Sequence, residues 1–399
     1  MGQSTRMPVT AMLGASVFCS GVTFAATMPY GAIVGIETLG LSNEHYAAMV
    51  SISSLVGALV TMFIGYASDR LPDRRILVLM AAVAGATGMG LVYFGRSQMA
   101  FIVAITVIWP FGFAMFSQNF AYVRVYYNAR APERAHFMIT ALRTVFSVAW
   151  VIVPPLAGYI AALYSVFDVF LLSALAYLAC GVIFAAMMTD PATRIAAAPI
   201  AARDATGMRG FLPTPIIAGL VGILIINIAM RLVGLAMPLS IVTRLGGTVG
   251  DVGIYAGIAA ALEIPFMLMW GYLGRWLTRE AIIIGNGLLL GVYILLVSQA
   301  RSVMDVFLLQ AINGIAAAAL LSVTISYMQD AIKGRVGLST SLMDVVGISA
   351  TLAGAAVFGV LSAGGDYQLL LVAAAGFAVV GGLVMLAGNT RQLRMAPAD

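Results

Sequence analysis

The sequence predicts an all-α membrane protein of twelve transmembrane helices, built as two six-helix bundles with pseudo-two-fold symmetry. The composition is 62% hydrophobic and only 9% charged, whereas soluble globular domains have roughly 45–50% apolar and about 25% charged residues. The apolar residues form long runs, each close to the ~20 residues with which an α-helix crosses a hydrocarbon core about 30 Å thick. Barrel strands would alternate over segments of about ten residues, so helices are expected.

The apolar runs lie between clusters of charged or turn-forming residues and predict the helices in order. In the first half they are expected at 10–35, 46–67, 76–95, 99–123, 137–162 and 167–188. In the second half they are expected at 212–237, 250–273, 280–298, 303–328, 336–361 and 367–388. The predicted domains are therefore residues 1–188, a polar cytoplasmic linker at 189–211, and residues 212–399.

The first apolar run follows a polar N-terminus and resembles a signal peptide. It continues to about Ile36, however, and has a counterpart later in the chain. We therefore interpret it as the first transmembrane helix.

Basic residues near the helix ends predict the orientation in the membrane. With a cytoplasmic N-terminus, fifteen basic residues lie on the cytoplasmic side and three, Arg96, Arg244 and Arg301, on the outer side. Both termini are therefore expected in the cytoplasm. Twenty of the twenty-one basic residues are Arg, which is typical of a GC-rich bacterium, and the expected location is a bacterial inner membrane. Because the basic residues are spread over these loops rather than gathered on one surface, a nucleic-acid partner is not expected.

Equivalent pieces recur in the two halves at a nearly constant offset. Met28-Pro29 matches Met237-Pro238, and Arg134 matches Arg335. The stretch GYASDRLPDRR, from Gly65, matches GYLGRWLTRE, from Gly271. Parallel repeats of six helices predict an axis along the membrane normal and a substrate site between the halves.

The first of these two stretches carries a recognisable pattern. Gly65 permits a close helix approach, and Asp69 can accept backbone hydrogen bonds at a helix N-terminus. The stretch and its copy resemble the loop between helices 2 and 3 of the major facilitator superfamily. The resemblance implies a gating motif of Gly65, Asp69, Arg70 and Arg74 that stabilises the outward-open state by engaging helix 11. The alternative is a basic loop that only sets orientation.

Three further stretches narrow the resemblance: LRTVFSVAWVIVPPLAGYIA from Leu142, AALEIPFMLMWGYLGRW from Ala260, and YMQDAIKGRVGLSTSLMDVVG from Tyr327. In order and spacing they resemble the bacterial sugar efflux transporters of that superfamily. The resemblance implies a secondary exporter that exchanges a small polar solute, a sugar or a sugar-like metabolite, for protons by alternating access. In helix 5, Pro154 and Pro155 match the antiporter motif, whereas Val153 replaces an expected Gly, so this motif is degenerate.

Ionisable side chains at membrane depth need a partner, a water-filled cavity or a function. Four are predicted there: Arg143, Arg231, Glu263 and Asp344. The resemblance implies that helices 5 and 8 abut, so Arg143 and Glu263 are expected to pair, with either a functional or a structural role. Glu263 is the predicted proton carrier, because Arg essentially never deprotonates.

Arg231 and Asp344 depart from the sugar exporters, which carry uncharged residues there as we interpret the resemblance. Asp344 is the repeat counterpart of Arg143 and a second candidate for proton coupling. Two extra charges would suit a charged or zwitterionic substrate. Substrate binding is predicted for Arg143, Arg231 and Asp344 together with the polar residues Gln118, Asn119, Asn227 and Asn313. Each polar residue, like Gln310, has the alternative role of bonding one helix to another.

No sequence pattern indicates a metal site, a cofactor or an enzyme, because the two His and two Cys are scattered and no nucleotide-binding motif is present. The expected partners are the small-molecule substrate, protons and lipid, and the chain is expected to be a monomer. Two alternatives stay open: a multidrug antiporter, which the 23 Met residues would suit, and an exporter of an amino-acid-like or opine-like metabolite. A membrane enzyme or receptor would need an added domain or a catalytic cluster.

Overall fold

The computed structural model describes residues 9–68, 71, 73–195, 214–331, 336–362 and 364–395. Over these residues every regular element is helical, and twelve helices are long and apolar enough to cross a membrane. The chain is therefore a multi-pass membrane protein, and the predicted all-α class with twelve spans is confirmed.

The helices are numbered α1 to α12 along the chain. The first six are α1 (Val9–Tyr30), α2 (Asn43–Ser68), α3 (Arg75–Gly95), α4 (Gln98–Arg130), α5 (Pro132–Leu163) and α6 (Asp168–Met188). The others are α7 (Thr214–Thr243), α8 (Val249–Leu273), α9 (Arg279–Ser298), α10 (Val303–Ala331), α11 (Val336–Leu361) and α12 (Tyr367–Met395). Most ends lie within a few residues of the predicted ones.

Prolines explain two local departures from regular α-helix. The α-helical part of α1 ends at Ala25, and the chain continues through a 3₁₀ turn that contains Pro29 and a π-helical segment, Ile33–Thr38. The span predicted at 10–35 is therefore present, but not as one regular α-helix. α4 contains a second π-helical segment, Ala104–Ile108, directly before Pro110. Because proline has no N–H and its ring crowds the preceding turn, the wider π turn accommodates it.

The Met-Pro pair of the repeat has a different local backbone structure in each half. Pro29 lies in the turn that ends α1, whereas Pro238 lies inside α7, which continues to Thr243. The predicted end of this helix at residue 237 is therefore wrong. Residues 239–241, directly after Pro238, are fully buried, so packing continues the helix where the local sequence would end it.

The described helices form two packed units, Met1–Gly40 with Ile52–Arg203 and Leu41–Ser51 with Asp204–Asp399. In the first unit, α1 packs against α5 and α6, and α3 packs against α4 and α6. In the second, α7 packs against α11 and α12, and α9 packs against α10 and α12. Four helix pairs thus recur in the same order. The predicted domain boundaries stay a prediction, and most of the predicted linker lies outside the described residues.

The beginning of α2 belongs to the second unit. There the Asn43 amide donates a hydrogen bond to the backbone carbonyl of Ser362, and the ring of Tyr46 meets Phe358 edge-on at 6.4 Å. Gly359 lies against Ala47, since a Cβ built on the glycine would be 3.1 Å from the alanine Cβ. α2 is therefore shared between the two units.

A buried ion pair holds together the predicted cytoplasmic end of the first unit. Arg75, at the start of α3, is only 3% exposed, and its Nη2 lies 2.6 Å from the Asp73 carboxylate. Its Nη1 donates to the Met187 carbonyl at 2.9 Å and to the Thr193 hydroxyl at 2.6 Å. The Tyr122 hydroxyl donates to the Thr193 carbonyl at 2.6 Å. These five residues, the Arg75 cluster, join α3, α4 and α6 to the chain that leaves the first unit.

Candidate functional site

In the first unit, Arg143 projects from α5 with its side chain exposed. The turns on either side of it carry hydroxyls that bond back to their own helix: Thr140 to the His136 carbonyl at 2.9 Å, and Ser147 to the Arg143 carbonyl at 3.2 Å. Gln118, on α4, is partly exposed. The predicted substrate ligands of this unit that have accessible side chains are therefore Arg143 and Gln118.

Asn119, also predicted to bind substrate, has a different environment. It is fully buried, its Nδ2 donates to the Ser20 hydroxyl at 3.0 Å, and its Oδ1 accepts from Ser16 at 3.3 Å. Both ends of the amide are thus occupied by α1. The structure favours the alternative role for Asn119, a bond between α4 and α1.

An aromatic cluster joins α1, α4 and α5 of the same unit, and the sequence did not single it out. Phe24 of α1 contacts Phe113 and Phe116 of α4 edge-on, and Phe116 contacts Phe146 of α5 at 4.8 Å. Trp109, for which the sequence indicates no role, contacts Phe113 at 5.5 Å. The spacing of Phe113, Phe116 and Phe120 along one helix face was the available signal.

In the second unit, Glu263 lies in the middle of α8, where this helix crosses α10. A Cβ built on Gly314 would be 2.6 Å from the Leu262 Cβ, so the two helices almost touch there. The Trp270 indole donates to the Ile315 carbonyl at 2.9 Å and holds the same crossing. Glu263 and Asn313 directly adjoin the two touching residues, and both are partly exposed.

A chain of polar groups runs from this crossing into the second unit. Asn313 Nδ2 donates to Gln310 Oε1 at 2.8 Å, and Gln310 Nε2 donates to the Tyr293 hydroxyl at 3.0 Å. The Tyr255 hydroxyl lies within hydrogen-bonding reach of Tyr293 and Gln310 and close enough to Glu263 to interact electrostatically. We refer to Tyr255, Tyr293, Gln310 and Asn313 as the amide–tyrosine chain. The sequence did not point to its two tyrosines, although each is an isolated polar group in an apolar span.

The two unusual charges of this unit lie at different depths. Arg231, on α7, is exposed, and its Cβ would be 3.1 Å from a Cβ built on Gly354 of α11. Asp344 is exposed on α11, ten residues before Gly354, or about 15 Å along the helix axis. Asn227 is partly exposed, and its Nδ2 donates to the Ile223 carbonyl of its own helix at 2.9 Å.

Several expectations are left open. Arg143 and Glu263 belong to different units, so their pairing stays a prediction, and so does the gating role. Asp69 and Arg70 lie outside the described residues. Arg74 precedes α3 without a side-chain capping bond. No described atom lies within 4 Å of a Cβ built on Gly65, so the expected close approach is not observed there.

A family model described as the Major Facilitator Superfamily matches residues 13–227. The chain belongs to this superfamily. Sugar efflux transporter B of Salmonella typhimurium is 30% identical to it over 299 residues, which cover 73% of this chain and 72% of the relative. Sugar efflux transporter C of Escherichia coli is 26% identical over 333 residues, 82% of each chain. The chain is thus a member of the sugar efflux transporter family within the superfamily, as its motifs predict, and a transporter.

Solved structures agree on the fold. A crystal structure of a POT peptide transporter mutant has a TM-score of 0.78 at 14% identity and covers 98% of this chain and 96% of its own. A nucleoside transporter mutant also has a TM-score of 0.78, at 12% identity, and covers 96% of this chain and all of its own. At such low identity these two structures support the helical architecture alone.

Proposed function

We propose that the chain is a secondary active exporter of a sugar or sugar-like metabolite, driven by proton antiport through alternating access. The names of its relatives support the substrate class. The observation that carries the proposal is Glu263, a partly exposed carboxylate in the middle of a membrane span, at the crossing of α8 with the helix that carries Gln310 and Asn313. A carboxylate at this depth is costly unless it binds protons or substrate, and amides and hydroxyls next to it suit a polyhydroxy solute.

In this mechanism Glu263 binds a proton from one side of the membrane and releases it to the other, with Arg143 as its charge partner. Sugar hydroxyls bond to Arg143 and Gln118 from the first unit and to Asn227 and Asn313 from the second. Asp344 is a second proton-coupling candidate. Asn119 acts indirectly, by fixing α4 against α1.

The same proposal includes the arrangement in the cell. The loop charges support a bacterial inner membrane with both termini in the cytoplasm. The recurring helix pairs inside each unit support two six-helix bundles of like construction. The parallel repeat in the sequence supports a pseudo-two-fold axis and a substrate site between the halves. The chain works as a monomer and needs protons and lipid but no cofactor.

Replacing Glu263 with Gln tests the coupling. In proteoliposomes that hold labelled lactose or glucose, a pH gradient should accelerate sugar movement by the wild-type protein. Glu263→Gln should move sugar at the rate seen without a gradient, because an amide does not exchange a proton. Counterflow, which needs no net proton transfer, should persist and show that the variant is folded.

The matched control is Glu133→Gln, which removes an exposed carboxylate at the first turn of α5 and should keep the full response. A Glu263→Gln variant that responds fully to the gradient would show that Glu263 does not couple transport.

A second candidate is an exporter of a charged, amino-acid-like metabolite. It is favoured by Arg231, an exposed cation within α7 for which no ion pair is recorded in the described part of the chain. Counterflow of labelled alanine beside the two sugars separates the candidates. Exchange of alanine without exchange of either sugar would mean that the substrate is a charged metabolite and not a sugar.

A further inference from the structure

The amide–tyrosine chain connects a fully buried part of the second unit to a partly exposed one. Tyr293, on α9, and Gln310, on α10, are each 0% exposed. Asn313, one turn further along α10, is partly exposed. The hydrogen bonds therefore run outward, from the buried Tyr293 hydroxyl through Gln310 to an amide at the accessible edge.

The bonds fix the orientation of both amides. Gln310 uses its nitrogen towards the tyrosines and its oxygen towards Asn313, so both ends of this buried group are satisfied. Asn313 in turn commits a nitrogen donor to Gln310, which leaves its own carboxamide oxygen as an acceptor. Without the Tyr293 hydroxyl, the buried Gln310 amide would lose this partner and keep only the Tyr255 hydroxyl, so the orientation of Gln310 and of Asn313 would be held less firmly.

A second hydrogen-bond acceptor, the Glu263 carboxylate, belongs to the same crossing of α8 and α10 as the Asn313 carboxamide oxygen. Asn313 adjoins Gly314 and Glu263 adjoins Leu262, and these two neighbours form the touching point of α10 and α8. A carboxamide oxygen and a carboxylate thus lie at the same level of the unit. Two acceptors at one helix crossing suit a ligand that presents several O–H donors.

We infer that Tyr293 is a positioning residue for substrate recognition: through Gln310 it orients the Asn313 carboxamide oxygen to accept a hydrogen bond from a sugar hydroxyl beside Glu263. The inference rests on the proposed function and deepens it. It adds a specificity determinant from α9, a helix that carries none of the predicted ligands.

The test is Tyr293→Phe, which removes one oxygen from a buried site. In counterflow, the KM for labelled glucose should rise about 3- to 10-fold while the maximal rate stays close to that of the wild type, because a ground-state contact is weakened. Competition by a series of monodeoxyglucoses gives the decisive readout. The wild type should discriminate against at least one of them, and Tyr293→Phe should lose that discrimination.

Tyr122→Phe is the matched control, since it also removes a buried tyrosine hydroxyl with a hydrogen bond, in this case to the Thr193 carbonyl of the first unit. It should alter neither the KM nor the discrimination. A Tyr293→Phe variant with wild-type KM and discrimination would overturn the inference while leaving the proposed function intact.

If Tyr293→Phe does not fold, Asn313→Leu tests the same inference at the accessible end of the amide–tyrosine chain. It should lose the same discrimination, and normal discrimination would again overturn the inference. A wild-type protein that exchanges alanine but no sugar would instead refute the proposed function, and this inference with it.

Discussion

Some polar side chains of this protein are buried and form hydrogen bonds to other residues, whereas others are accessible. Arg75 is the clearest example of the first kind. In the sequence it is one of several arginines in a basic loop. In the structure its guanidinium is buried and bonds to Asp73, Met187 and Thr193. The hydrogen bonds from Arg75 hold the pKa of Asp73 below its ordinary value. The pair therefore stabilises the folded state of the first unit.

Asp73→Asn should lower the thermal stability of the detergent-solubilised protein at pH 7. Removal of one partner leaves the buried Arg75 charge uncompensated, which typically costs about 3–5 kcal/mol. The pKa of Asp73 is lower in the folded than in the unfolded state, so the stabilisation is complete above the unfolded value of about 3.9 and is lost as the pH falls below it. The difference between wild type and variant should therefore begin to shrink below about pH 4 and disappear only when the pH falls below the folded-state pKa of Asp73.

Thermal unfolding of both proteins from pH 7 to pH 3 checks this. Asp168→Asn, which removes a carboxylate in the first turn of α6 outside the Arg75 cluster, is the control for general effects of lost charge. An Asp73→Asn variant as stable as the wild type at pH 7 would contradict the assigned role of the pair.

At the scale of whole elements, close contacts between glycines set the distance between helices. In the second unit α7 and α12 meet at Gly222 and Gly381, where a Cβ built on either glycine would be 2.7 Å from the carbonyl oxygen of the other. Small residues at such crossings are how membrane helices gain packing energy without a hydrophobic driving force.

Gly381→Ala should destabilise the protein by about 1–3 kcal/mol, the usual cost of forcing extra atoms into a packed site. Gly376→Ala, five residues earlier in the same helix, is the matched control because no described atom lies within 4 Å of a Cβ built there. It should be neutral or stabilising, by up to about 1 kcal/mol. Melting temperatures in detergent measure both, and equal effects would mean that the α7–α12 crossing does not depend on glycine.

Helix ends also depend on partners that are remote in the sequence. Arg244, which the sequence identifies only as one of three outer cations, donates to the Ser298 carbonyl at 2.6 Å and to the Val297 carbonyl at 3.2 Å. A cation at these carbonyls complements the negative end of α9. Burial lowers the pKa of Arg244 from its ordinary value, but the group stays charged at physiological pH.

For the whole molecule, the loop charges predict the orientation in the membrane, and this prediction can be tested on α5 alone. In a background with Cys19 and Cys180 replaced by Ala, a single cysteine is introduced as Glu133→Cys or Tyr164→Cys, next to opposite ends of this helix; Tyr164 is 80% exposed. In right-side-out vesicles, a membrane-impermeant maleimide should label Tyr164→Cys directly and Glu133→Cys only after permeabilisation. The reverse pattern would place both termini outside.

The sequence by itself determined the class of the protein, the number of spans and most helix ends. Insertion of an apolar run into lipid is a local property, because a helix satisfies its own backbone hydrogen bonds. Only the tertiary structure decided that Asn119 and Gln310 are buried between helices whereas Gln118 and Asn313 are accessible. The physical reason is that lipid and protein interior are equally apolar, so a span carries no pattern that tells which of its faces meets lipid, a neighbouring helix or a cavity.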